Sequence, residues 1–377
     1  MKILIAGAGP AGVYLAYLMK RQRPDAEVRL AEQNPPDSTF GFGVVFSDRA
    51  LDFLREDDPE THALITPAME TWTDLTVCHR GERIAIDGIG FAAIGRLPLL
   101  RLLRQRLAGV GVTPEYGRAL ADPRELAGYD LVVGADGVNS FVRGCHAARF
   151  GTTIAHLQNK FAWYGTTKPF DTLTQTFVEA GGGTFNAHHY RHAAGMSTFV
   201  VESDAATWEH EGFATLDETA TIARLAQVFA GTLDGHSLVS NRSIWRSFPV
   251  IRNERWWVDN VVLLGDALHT AHFSIGSGTR LAMEDAIALA RALREHPGEV
   301  RDALAAFEAA RRPIVAKLVA AATASGEWYD RFPEHMRLAP WEFAMSYIQR
   351  SGRIDRERLR KLSPGFAAGY EAAAGRR

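Results

Sequence analysis

The hexapeptide Gly7-Ala8-Gly9-Pro10-Ala11-Gly12 constrains this chain more than any other stretch, because of what flanks it. Lys2 to Ala6 reads as a short apolar strand and Val13 to Arg21 has helical periodicity. A second strand-like run, Glu27 to Ala31, ends on Glu32, twenty positions after Gly12. Strand, glycine turn, helix, second strand and terminal acid are, in that order, the parts of a dinucleotide-binding βαβ unit. The glycines make the tight turn and admit a pyrophosphate to the helix N-terminus, where free N–H groups and the helix dipole favour an anion. Gly7, Gly9, Pro10, Ala11 and Gly12 are therefore expected at the diphosphate of a dinucleotide, and Glu32, with Gln33 beside it, at the adenosine ribose. The fingerprint does not separate NAD from FAD.

A second constrained stretch runs from Asn260 to Ala286. Val261 to Leu264 reads as a buried strand that Gly265 ends, and Asp266 puts a carboxylate at the strand's exit, where α/β sheets bind ligands. Gly276, Ser277, Gly278 and Thr279 form a loop, and from Thr279 the apolar residues recur at helical spacing. The loop is thus a helix N-terminus suited to a group that carries or develops negative charge. Between the two stretches, Asp130 to Val133 predicts a third strand leading into Gly134-Ala135-Asp136-Gly137-Val138-Asn139-Ser140-Phe141-Val142-Arg143. Arg96 precedes a helix expected over 98–107 and is placed to reach an anionic ligand. The glycine-bearing loop 41–48, with Phe46 in it, reads as a close approach to a planar ligand, followed by a helix from Asp48 to Arg55.

Composition narrows the class. Hydrophobic residues at 46% and charged residues at 23% are ordinary for a globular enzyme, and a formal charge of −2 argues against a nucleic-acid binder. Cys78 and Cys145 are the only cysteines and have no metal-ligand spacing, so no metal site is expected and a reducing cytoplasm fits. No signal-peptide cleavage pattern follows the first strand. No apolar run is long enough to span a bilayer, so no membrane partner is expected.

From about 152 to 250 the texture changes to aromatic, β-prone runs, read as antiparallel strands over 161–164, 174–178, 184–190 and 197–202 with a helix near 216–230. The expected fold is α/β, a Rossmann-like dinucleotide domain with an inserted antiparallel β-sheet domain and a helical C-terminal region. The first domain is expected over 1–151, with an excursion to the substrate side near 70–95, and again over 251–311. The inserted sheet takes 152–250. C-terminal helices take 312–377, with separate helices over 300–311 and 313–323.

Three glycine-acid elements in one order, GAGPAG with Glu32, GADGVNSFVR and LLGDALHT with its GSG loop, resemble the single-component flavoprotein aromatic hydroxylases typified by para-hydroxybenzoate hydroxylase. The resemblance implies FAD as the resident cofactor, NADH or NADPH as electron donor, and O2 as the source of the oxygen atom placed on an electron-rich ring. It assigns Asp136, Gly137 and Arg143 to FAD and NAD(P)H, Gly265 and Asp266 to the ribityl chain, and Gly276 to Thr279 to the pyrimidine end of the flavin. GFGVVFSD, WYGT, STFVVE, HTAHFSIGSGT and QRSGRI further resemble the subgroup acting on aryl-CoA thioesters, salicylyl-CoA 5-hydroxylase and 2-aminobenzoyl-CoA monooxygenase. Phe273 and Arg280 depart from the wider family's pattern beside the flavin.

The implied substrate is a small aromatic, CoA-linked, hydroxylated para to a phenol or aniline. A base near that substituent would help, with His272 first and His188 and Tyr190 after it, while His269 reads as support for the loop. Phe46, Trp163, Tyr164, Phe185 and Phe273 are the expected pocket walls. Arg242, Arg246 and the arginines over 350–360 are the cations that could meet CoA phosphates. The rivals are a hydroxylase of a tryptophan-derived biosynthetic intermediate, an enzyme acting on an aryl thioester held by a carrier protein, and a non-catalytic protein that kept the FAD fold. Trp245-Arg246-Ser247-Phe248-Pro249 lacks the second tryptophan of a flavin halogenase. A monomer or homodimer is expected.

Overall fold

The computed structural model describes residues 1–47 and 51–375. A six-stranded sheet runs in the order Trp257–Val258, Val261–Leu263, Leu131–Gly134, Lys2–Ala6, Glu27–Glu32, Glu115–Tyr116. All its pairs are parallel except the first. The central strands read Ile3-Leu4-Ile5 and Leu131-Val132-Val133 and are fully buried, as a parallel sheet covered on both faces requires. The helices Pro10–Gln22 and Gly278–Glu295 pack against each other, so both glycine loops open at the same edge of this sheet. The expected helix from Asp48 begins outside the described residues; a helix is observed over Asp52–Asp57.

The second sheet has eight strands. Its path is Leu238–Val239, Thr152–Thr166, Met196–Ser203, Gly183–Ala193, Leu173–Ala180, Leu75–His79, Glu82–Ile86, with Arg246–Asn253 pairing the first half of Thr152–Thr166. Successive residues of a strand face opposite ways, and this sheet uses both faces. Ala162, Tyr164, Phe185, Ala187, Phe199 and Val201 meet Phe213, Leu225 and Phe229 in one apolar cluster, against the helix Glu218–Val228. Tyr164 and Phe185 are therefore core and not pocket walls, a correction to the sequence reading. Phe46 is likewise fully buried, in the core of the first sheet.

The opposite face carries Phe161, Asn186, His188 and Glu202, because Glu202 stands directly across from Phe161 on one side and Asn186 on the other. Against one end of this face packs the C-terminal region, where Trp328, Tyr329, Phe332, Phe343 and Tyr347 surround Phe177. The two helices expected on either side of Pro313 are one 30-residue helix, Val300–Tyr329. Proline forfeits one hydrogen bond there, but Ala303, Leu304, Phe307, Arg311, Val315, Ala321 and Ala322 are buried on both sides of it and hold the axis together. Among the described residues no helix is long and apolar enough to cross a membrane.

Candidate active site

The first glycine turn is built by close approach. Gly7 has φ +94°, and a Cβ there would lie 2.4 Å from the Ala135 carbonyl oxygen; one on Gly12 would lie 1.9 Å from the Gly7 carbonyl oxygen. At Gly9 a Cβ would meet nothing within 4 Å. The turn is thus sealed toward the sheet and open toward the outside, where the helix starting at Pro10 has no side-chain cap. Glu32 accepts the Ala8 N–H at 2.8 Å through one oxygen and the backbone and side-chain N–H groups of Asn34, both at 2.8 Å, through the other. Gln33 beside it is exposed.

Across the same sheet edge, Gly265 leads into a single tight turn that carries Asp266. The Asp266 side chain is accessible and accepts no hydrogen bond among the described residues. It is nevertheless so surrounded by protein that burial pushes its carboxyl above the usual range, with Arg96 and then His269 pulling the other way. Arg96 opens the helix Arg96–Gly109, and its guanidinium has no partner among the described residues; burial lowers its pKa and the Asp266 charge opposes that. An aspartate and an arginine that feel each other's charge without touching frame a space for a polar ligand. The loop then reaches Gly276, packed on Val45, and Gly278, where a Cβ would meet nothing within 4 Å; the helix Gly278–Glu295 begins there behind Ser277 without a side-chain cap or a first-turn acid. Ser277 hydroxyl is turned back to the Ile275 carbonyl, and Thr279 is half-buried.

Asp285 braces this element. It accepts the Gly265 N–H at 3.2 Å, His269 Nε2 at 3.0 Å, and Arg311 through Nε at 3.1 Å and Nη2 at 3.0 Å. Burial alone would raise its pKa, but His269 and Arg311 outweigh it and hold the carboxyl below its usual range. His269 therefore supports the loop, as the sequence predicts.

In the middle element, Asp136 accepts the N–H groups of Phe141 at 2.7 Å and Val142 at 3.2 Å on one oxygen, capping the short helix Phe141–Cys145 after the Gly137 turn, while its other oxygen is buried without a partner. Burial raises its pKa. Arg143 corrects the sequence reading: its guanidinium donates to the carbonyls of Val138 and Ala267, tying the second element to the third rather than facing a ligand.

On the substrate side, Trp163 lies over Gly41, its indole N–H without a partner among the described residues. Tyr190 donates its hydroxyl to the Gly43 carbonyl at 3.0 Å, and burial pushes its pKa far up, so it fastens the strand Gly43–Ser47 and is a poor candidate for a base. Phe273 packs on Phe161, His188 and His272 with ring centroids 4.9, 5.3 and 4.2 Å apart. His188 receives Gln175 Nε2 at 2.9 Å on Nδ1, and burial then Arg350 hold its pKa well below the ordinary value. His272 bonds the Ser274 hydroxyl at 2.7 Å through Nδ1, with its pKa pushed down to about 4 by burial. Both imidazoles are neutral at pH 7 and poor proton acceptors. The residue sequence reasoning missed is Glu202, 2% exposed, one oxygen on Asn159 Nδ2 at 2.9 Å and the other 3.6 Å from His188 Nε2. Burial pushes its carboxyl up to about 7. A signal was available: Asn186, His188 and Glu202 alternate with the buried apolar residues Phe185, Ala187 and Val201, so they share the opposite face of the sheet.

Open turn, uncapped helix ends, partnerless Asp266 and partnerless Arg96 fit the diphosphate, ribityl and flavin of FAD in turn. The chain matches the FAD binding domain family over residues 103–322. It is 43% identical to salicyloyl-CoA 5-hydroxylase of a Streptomyces species, across 93% of this chain and 70% of that protein. It is 39% identical to 3-hydroxy-4-methyl-anthranilyl-[aryl-carrier protein] 5-monooxygenase of Streptosporangium sibiricum, across 89% and 90%. In fold it is similar to 2-methyl-3-hydroxypyridine-5-carboxylic acid oxygenase, with TM-score 0.74, 18% identity and 96% of each chain covered. The chain belongs to the FAD-dependent aromatic monooxygenases. FAD is its cofactor, and its reaction is hydroxylation of an aromatic ring.

Proposed function

We propose that this enzyme hydroxylates an aryl-CoA thioester para to a ring hydroxyl or amino group, with salicyloyl-CoA as the model substrate. The observation that carries the reading is the similarity over 93% of the chain to a salicyloyl-CoA 5-hydroxylase. FAD, reduced by NADH or NADPH, supplies the activation of O2 that an aromatic C–H bond needs. The turn from Gly7 to Gly12 holds its diphosphate and Glu32 its ribose, while Asp266 and Arg96 flank the ribityl chain. The N-terminus at Gly276, Ser277, Gly278 and Thr279 favours negative charge developing at the pyrimidine end. Phe161, Trp163 and Phe273 keep water away from the ring and orient it.

Among the cations, Arg350 is committed to the carbonyls of Tyr347 and Ser274 and Arg360 to Glu371. The Arg353 guanidinium has no partner among the described residues, its carbonyl accepts from Arg358, and burial and the charges of Arg280 and Arg358 lower its pKa. Arg280 is paired with Glu284 at 2.7 Å, which leaves Arg353 and Arg358, close to each other beside the flavin-facing helix, as the cations suited to the CoA phosphates. Arg242 and Arg246 are exposed at the sheet's rim, the latter over the Phe40 ring.

The test is a panel of aryl-CoA thioesters, free acids and indoles, read by NAD(P)H consumption and mass spectrometry. Salicyloyl-CoA or 2-aminobenzoyl-CoA should accelerate NAD(P)H oxidation with hydroxylated product; equal stimulation by free salicylate or anthranilate would sink the reading. A second reading, an aryl thioester on a carrier protein, is favoured by the 39% identity to the anthranilyl-carrier enzyme and predicts activity only with the carrier-bound ring.

A further inference from the structure

The motif Gln349-Arg350-Ser351-Gly352-Arg353-Ile354 ends the helix Pro340–Gln349, and its second residue reaches the flavin-facing loop. Arg350 donates from Nη1 to the Tyr347 carbonyl and from Nη2 to the Ser274 carbonyl, both at 2.8 Å. Its guanidinium lies over the Tyr347 ring, 3.8 Å from the centroid, with the Tyr329 ring 5.8 Å away. Nε is buried without a partner, and the guanidinium makes no ion pair among the described residues. Such an arginine is neither a solvated surface charge nor half of a salt bridge. It joins two segments that lie 76 positions apart in the chain. A planar fork can serve two carbonyls and a ring face at once, which the point charge of a lysine cannot.

Ser274 is where the loop is held. Its hydroxyl meets the Ser325 hydroxyl and His272 Nδ1, each at 2.7 Å, and its N–H points at the same nitrogen. Ser325 belongs to the helix Val300–Tyr329, and its neighbour Gly326 lets that helix come close, since a Cβ there would lie 3.4 Å from His272 Cγ. The Ser274 side chain is thus tied to one helix and its carbonyl, through Arg350, to another. Two residues on, Gly276 turns with φ +60° against Val45, its N–H on the Phe273 carbonyl at 3.0 Å. The Ser277 carbonyl then takes the Leu281 N–H at 2.9 Å as the helix Gly278–Glu295 begins. So short and fully bonded a connection passes a displacement at Ser274 on to the first N–H groups of that helix. Phe273, packed on Phe161 and His188, moves with it on the other side.

We propose that Arg350 is a positioning residue of the flavin-facing loop: by holding the Ser274 carbonyl it keeps the helix N-terminus at Gly278 and the Phe273 ring in place. This rests on the reading that puts Gly276 to Thr279 at the flavin and is independent of the CoA carrier. A helix N-terminus favours negative charge only at short range. One that backs away from the flavin stabilises the reduced, electron-rich form less. A displaced Phe273 also opens the ring's surroundings to water, so less of the NAD(P)H consumed ends in product.

The test is the midpoint potential of the FAD-loaded protein for wild type, Arg350→Met and Arg350→Lys, with Phe366→Leu and Gly278→Ala as references. Arg350→Met should weaken the preference for reduced flavin roughly tenfold, about 30 mV for a two-electron couple. Arg350→Lys keeps the charge but not the fork, and should weaken it roughly threefold, about 15 mV. With whichever phenol or aniline the wild type hydroxylates, product formed per NAD(P)H consumed should fall in the same order. Phe366 lies in the C-terminal apolar cluster, so Phe366→Leu should lower the melting temperature and leave the potential in place. Gly278→Ala adds a Cβ that meets no protein atom within 4 Å, so a changed flavin absorption spectrum reports the flavin beside it. A potential within about 3 mV of wild type in either folded Arg350 variant overturns the proposal, and Arg350→Lys decides alone should Arg350→Met not fold. A shift in Phe366→Leu as large as in Arg350→Met also overturns it, by making the effect a general loosening. A changed spectrum in Gly278→Ala with unmoved Arg350 variants overturns the role of Arg350 and keeps the loop at the flavin. Unchanged flavin in all of them overturns both.

Discussion

Asp285 and Glu202 are both carboxylates with almost no exposed surface, the first bonded to the start of the loop that runs from Gly265 to Gly276 and the second on the face of the second sheet beside His188. Asp285 receives four donors, from Gly265, His269 and two nitrogens of Arg311, and is held ionised. Glu202 receives one, from Asn159, keeps an oxygen unpartnered, and is lifted to about 7. The same group at the same depth becomes an ionised strut or a carboxyl that protonates near neutrality according to how many donors meet it. Asp285 ties the start of the flavin-facing loop to the helix Gly278–Glu295, while Glu202 stays on the sheet face with His188 beside its open oxygen.

The comparison can be broken first at Asp285. Asp285→Ala leaves Arg311 buried without its main partner and should cost about 3–5 kcal/mol, read as a lowered melting temperature and loss of FAD on gel filtration. A melt within a degree of wild type would deny it a structural role.

Next comes the pH dependence of stability, where the two carboxylates have opposite signs. Asp285 is depressed in the folded state, so its contribution is present above the unfolded pKa of about 3.9 and is lost as pH falls through the folded value. Glu202 is raised, so the folded state binds the extra proton between the unfolded pKa and about 7, and stability falls as pH rises through that window. Glu202→Gln should therefore gain on wild type by about 3 kcal/mol on going from about pH 4.5 to about pH 8 in urea melts. A constant difference between the two proteins at all pH values would contradict the raised pKa.

The smallest effect is expected at Tyr190. Removing one buried hydrogen bond to Gly43 with Tyr190→Phe should cost about 1 kcal/mol and leave the pH profile of product formation in place. A loss of turnover of about 100-fold or more with the fold intact would return Tyr190 to the role of base that the sequence offered it.

Much of the cofactor side was legible in the chain because its constraints are local. GAGPAG, Glu32, Asp266 and the Gly276–Thr279 loop each need a particular residue at a turn or a helix start, and the turn itself carries the signal. The substrate side depends on which face of a strand looks where. Trp163 and Tyr164 are adjacent, so alternation sends one toward Gly41 and the other into the apolar core with Phe199, and nothing local says which. Phe185 was lost the same way. Arg143 sits in a cofactor motif but spends its donors on backbone carbonyls, a choice set by Ala267, more than a hundred residues later. Glu202 was hidden in STFVVE because its environment is assembled from four distant segments, bearing Asn159, His188, His272 and Asp330.

An infrared pH titration of the FAD-loaded enzyme, taken as the difference between wild type and Glu202→Gln, tests the contrast most directly. The account predicts a protonated-carboxyl band present in wild type at low pH, fading with a midpoint near 7 and absent from the variant. A difference spectrum showing only ionised carboxylate from about pH 5 upward would contradict it, and would make Glu202 a second strut.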